Sequence, residues 1–88
     1  MHELSIALEV CRIAEGQANA AGSDPTRVVA VGIEVGDAAG VELSSLSFCL
    51  ETLLSQPPFA RARPVVTRLA GDTLRVSYLE VDDGRPDH

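Results

Sequence analysis

Arg27-Val28-Val29-Ala30-Val31-Gly32-Ile33-Glu34-Val35 is the stretch whose reading decides the fold. Val29, Val31, Ile33 and Val35 share one parity, while Val28, Ala30, Gly32 and Glu34 share the other. That density of β-branched residues predicts a strand with one well-buried face and one partly covered face. A strand of that kind belongs in the middle of a sheet, so the segments on either side should pack around it.

Upstream, Ile6, Val10, Ile13, Ala14 and Ala18 recur at steps of three and four, with Glu9, Arg12, Glu15 and Gln17 between them. The spacing predicts an amphipathic helix from Leu4 to about Ala21, closed by Gly22-Ser23-Asp24-Pro25. Downstream, Gly36-Asp37-Ala38-Ala39-Gly40 reads as a turn. Val41-Glu42 then leads into a second helix, with Leu46, Cys49, Leu50 and Leu53 on one stripe as far as Leu54. Glu42 falls in its first turn, where the helix dipole favours a carboxylate. Gln56-Pro57-Pro58 stops this helix.

Two further strands follow, Pro64 to Leu69 and Thr73 to Val81, with Ala70-Gly71-Asp72 reading as a tight hairpin connection between them. In the last strand Leu74, Val76 and Tyr78 share a parity that Leu79 and Val81 do not, which predicts a bulge, or burial on both faces, near Tyr78-Leu79. The tail 82–88 is polar and is expected to be flexible. The element order is helix-strand-helix-strand-strand. It predicts a single α+β domain over 1–88, a small three-stranded sheet with two helices packed on one face.

Composition excludes several functions. A formal charge of −6 repels nucleic acid and anionic membranes, and three aromatics (Phe48, Phe59, Tyr78) give little base-stacking surface. No apolar run reaches the length of a membrane span, and the N-terminus lacks a signal-peptide pattern, so a cytoplasmic protein is expected. Cys11 and Cys49 stand alone and read as small buried hydrophobes, with neither a disulfide nor a zinc site expected. Gly32, Gly36 and Gly40 do not make a phosphate loop. With His88 and Asp82-Asp83 at the tail and no nucleophile set, no enzyme is indicated. At 88 residues the core is small. A homodimer is therefore a plausible expectation, through an exposed sheet edge or a swap about the short 70–72 connection.

The chemistry concentrates at Met1-His2-Glu3. A free α-amine, the His2 imidazole and the peptide nitrogens of His2 and Glu3 can offer up to four nitrogen donors in a plane, a geometry that suits nickel(II) or copper(II). Such a site requires neutral imidazole, so its affinity should fall below about pH 6.5.

Met1-His2-Glu3-Leu4-Ser5-Ile6 followed by an alanine-rich helix resembles the opening of the HypA/HybF family of hydrogenase-maturation nickel chaperones. Gly36-Asp37-Ala38-Ala39-Gly40-Val41 is similar to the family's turn between first strand and second helix, although Asp37 stands where glutamate is commoner. Gly71 to Val81 is similar to its closing strand. The resemblance implies delivery of Ni(II) to the large-subunit precursor of [NiFe] hydrogenase, or to urease, together with a metal-binding, HypB-like GTPase. It implies His2 as principal ligand, with the Met1 amine and the Glu3 backbone beside it, and Glu42 at a position where some members carry an acid near the nickel. Family members insert a zinc module of two C-x-x-C pairs between the last two strands. Here Ala70-Gly71-Asp72 stands in its place, and no zinc is expected. The alternative is a scaffold or regulatory module that keeps the fold and partner surface without metal delivery.

Overall fold

The computed structural model describes residues 3–82. The chain runs α1 (Glu3–Ala20), a 3₁₀ turn at Pro25–Arg27, β1 (Val28–Gly36), a second 3₁₀ turn at Asp37–Ala39, α2 (Leu43–Leu54), β2 (Arg63–Leu69) and β3 (Leu74–Val81). This is the predicted α+β order, and β1 is indeed the central strand of a mixed sheet ordered β2-β1-β3. Of the tail 82–88 predicted to be flexible, all but Asp82 lies outside the described residues.

The hairpin expected at Ala70-Gly71-Asp72 does not form. β2 pairs with β1 in parallel and β3 pairs with β1 antiparallel, so β2 and β3 lie on opposite edges and the connection crosses over the C-terminal end of β1. The physical reason is the hydrogen-bonding capacity of β1: its valine-rich backbone is paired on both sides, which leaves β2 and β3 no shared edge. The connection is tied down where it crosses. Gly36 N–H donates to Thr73 O at 2.6 Å and Ala38 N–H to Gly71 O at 2.7 Å. A Cβ on Gly36 would stand 2.2 Å from the Gly71 carbonyl oxygen, so only glycine allows this approach.

Two irregularities in the β1–β3 ladder decide which side chains face the helices. One lies between Val28 and Ala30, the other where Gly32 pairs with Tyr78 but Ile33 with Val76. The first makes Val29 the extra residue, so Val28 joins Val31, Ile33 and Val35 in the core, where the sequence parity had placed Val29. The second makes Ser77 the extra residue, one position from the bulge expected at Tyr78-Leu79.

The core forms between these valines and the buried stripes of the two helices: Ala7, Val10, Ala14 and Ala18 on α1, Leu46, Leu50 and Leu54 on α2. Alanine at three of the four α1 positions lets that helix lie close to the sheet, while the leucines of α2 supply most of the volume. α1 ends at the turn before β1, so it runs back along the strand. Its first turn lies near the C-terminal end of β1, with Ile6 beside Leu74 and Val76.

Candidate metal-binding terminus

Glu3 opens α1 and is only 9% exposed. Its Oε2 accepts a hydrogen bond from the Glu42 backbone N–H at 2.9 Å, across 39 residues of chain. That bond is the main cause of a Glu3 pKa lowered from 4.5 to about 2. The first residue after His2 is thereby fixed as a carboxylate against the start of α2.

Glu42 is the N-cap of α2, one position before the first turn where the sequence placed it. Its Oε1 accepts the Ser45 N–H at 2.8 Å, and the Ser44 hydroxyl donates to its two oxygens at 2.8 and 2.9 Å. Bonds from Ser45 first and Ser44 second lower its pKa to about 2. Both carboxylates thus gather at the N-terminal end of the α2 dipole, one holding the cap and the other holding α1 to it.

Of the four residues singled out for metal, Glu3 and Glu42 are brought together, whereas Met1 and His2 lie outside the described residues. Among the described residues no group of three or more His, Cys, Asp or Glu is placed to hold a metal ion. Cys11 and Cys49 are both free and pack against the core as small hydrophobes, though half-buried and not fully buried as expected. Burial pushes the Cys11 thiol up to about 11, so it is protonated near neutral pH.

Sequence reasoning missed Ser44 and Ser45 as the partners of Glu42. The signal was present as an acid followed by a Ser-Ser pair just ahead of the leucine stripe, which is a cap pattern with glutamate in place of the commoner short residues. It also missed the pair between Arg68 and Asp37, 3.0 Å apart, which ties the end of β2 to the turn after β1.

The family model for hydrogenase/urease nickel incorporation, the metallochaperone HypA, matches residues 1–74. The chain belongs to the HypA family. The hydrogenase maturation factor HypA of Azotobacter vinelandii is 39% identical over 71 residues, which cover 81% of this chain and 61% of the relative. That of Geobacter metallireducens is 37% identical over 71 residues, covering 81% and 60%. That of Streptomyces avermitilis is 51% identical over 51 residues, covering 58% and 38%. The chain therefore spans about 60% of the length of the first two curated relatives it matches. The HypA match includes both helices, β1, β2 and the Glu3–Glu42 contact, and it ends at the first residue of β3.

Proposed function

We propose that this HypA-family chain binds Ni(II) at its N-terminus and passes it to the large-subunit precursor of a [NiFe] hydrogenase, acting in the cytoplasm beside a HypB-like GTPase. The Met1 amine, the His2 imidazole and the peptide nitrogens of His2 and Glu3 form the ligand set. The observation that carries the reading is the Glu3–Glu42 bond, which anchors the residue next to His2 to a second helix. The amide of the first residue of a helix has no intrahelical acceptor, so the Glu3 nitrogen is not needed by the α1 ladder.

Glu3 serves the site in two ways. Its backbone nitrogen joins the chelate, and its side chain fixes where that nitrogen stands. Glu42 joins the site through its N–H on Glu3. Bringing the Glu42 carboxylate to the ion as well would require it to leave Ser44 and Ser45 and uncap α2. A terminal site of this kind is open to an incoming protein ligand, so nickel can leave by ligand exchange, the peptide nitrogens of His2 and Glu3 taking back from solvent the protons they gave up on binding. No zinc is part of the proposal, since the 70–73 connection closes the sheet by its own hydrogen bonds.

The test is nickel-dependent processing of the hydrogenase precursor by the purified chain, with His2→Ala in parallel. Maturation should fail with His2→Ala while precursor still co-purifies with it. Equal maturation by both proteins would instead identify the chain as a scaffold.

A further inference from the structure

β3 is one edge of the sheet, and its neighbour β1 covers only one side of it. The other edge, β2, is blunted: Pro64 lacks an N–H, and Arg63 and Arg68 flank it as exposed charges. β3 has no proline. Its bulge at Ser77 also has a consequence for pairing.

Before the bulge, Val76 faces the helices and Leu74 lines a groove with Ile6, Val10 and Ile13 of α1. After it, Leu79 and Val81 pack against the same core. Arg75 and Glu80 lie on the opposite face, Arg75 bonded to Glu34 and Glu80 paired in register with Ala30. The extra residue therefore makes the in-and-out pattern of the strand read the same from either end: apolar inward, charge outward, apolar inward, then the mirror order. A regular eight-residue strand would not have this property, because its first and last residues face opposite sides.

We propose that β3 is the docking edge for a second copy of this chain, paired antiparallel about a two-fold axis between Ser77 and Tyr78. In that register Leu74 stands opposite Val81 of the second copy, Arg75 opposite Glu80, Val76 opposite Leu79 and Ser77 opposite Tyr78. Every inward pair is apolar, and the two symmetry-related Arg75–Glu80 pairs join opposite charges directly across the strands. Glu80 has no ion-pair partner within the chain among the described residues. Arg75 uses Nε for Glu34 at 2.6 Å, and its guanidinium has further N–H donors to give.

The groove fits the same occupant. It is an apolar space of about 120 Å³ between α1 and β3. Leu74 on its rim is 38% exposed. A two-fold axis perpendicular to the sheet keeps both helical layers on one face and lays a second α1 beside the first, covering both grooves. The product is a six-stranded sheet ordered β2-β1-β3-β3-β1-β2, whose only remaining edges are the two blunted β2 strands. The interface is independent of nickel.

Sedimentation equilibrium across micromolar to millimolar chain measures it, with far-UV circular dichroism on each variant to confirm folding. The wild type should fit a monomer–dimer equilibrium. Glu80→Arg places like charges opposite each other twice and should weaken the dimer by about tenfold or more. Arg75→Glu should do the same. Mixing the two variants should restore association, since a mixed pair has opposite charges at both positions. In the wild type, added chain should also slow amide exchange along β3. A monomer at every concentration, or a dimer unchanged by Glu80→Arg with exchange slowed elsewhere, as in a swap at 70–73 or pairing through β2, overturns the proposal.

Discussion

The Glu42 backbone N–H and the Glu3 carboxylate are joined at 2.9 Å, so the N-terminal ends of the two helices meet at a single hydrogen bond. A charge-assisted bond between residues 39 apart in the chain ties the start of α1 to the start of α2. Glu3→Ala should therefore lower the thermal midpoint, and Glu3→Gln, which keeps an acceptor and loses only the charge, should lower it less. Equal midpoints for the wild type and Glu3→Ala in scanning calorimetry would show that the bond does not hold the helices together.

Acid should destabilise the fold through the same pair. Glu3 and Glu42 both have pKa values near 2 in the folded chain, against 4.5 ordinarily. As pH falls the unfolded chain takes up these protons first, so the stabilisation is complete above about pH 4.5 and is lost between there and about pH 2. Urea midpoints measured from pH 7 down to pH 3 should be flat at first and then fall below pH 4.5. The double variant Glu3→Gln, Glu42→Gln should start lower and fall less steeply.

The close crossing at the end of β1 makes a second structural prediction. A Cβ at Gly36 meets backbone atoms, 2.2 Å from Gly71 O and 2.8 Å from Thr73 N. At Gly32 the nearest atoms belong to the Tyr78 ring, at 2.2 and 2.3 Å, and that side chain is 46% exposed and able to swing aside. Gly36→Ala should cost about 1–3 kcal/mol and Gly32→Ala less. Chemical denaturation of both variants checks the ranking, and the reverse order would contradict the crossing described above.

Core and surface leucine-like residues of α2 should separate clearly. Leu50 is fully buried and Leu50→Ala should cost about 2–5 kcal/mol, whereas Phe48, at 70% exposure, should change stability by less than about 0.5 kcal/mol when cut to alanine. Urea titration of the two variants reads this difference directly.

Much of this fold was legible in the sequence because its signals are local. The valine run of β1, the leucine stripe of α2 and the Gly-Ser-Asp-Pro stop each fix an element without reference to the rest of the chain. The central place of β1 was legible too, but the path from β2 to β3 was not. Whether Ala70-Gly71-Asp72 turns a hairpin or crosses a strand end depends on which edges of β1 are open, a property of the whole sheet. The parity of Val28 and Val29 failed for a related reason, since the bulge that exchanges them is set by pairing with β3. At the terminus, Glu3 and Glu42 could be named from the resemblance, but their mutual bond could not. It joins a side chain to a backbone N–H, and no pattern of residue types records a backbone donor.

The proposal that the terminus is a nickel site is tested most directly by calorimetric titration of Ni(II) into the untagged chain with a free Met1 amine, beside His2→Ala. The wild type should bind one ion per chain, and His2→Ala should bind at least about tenfold more weakly. Indistinguishable isotherms for the two proteins would contradict it.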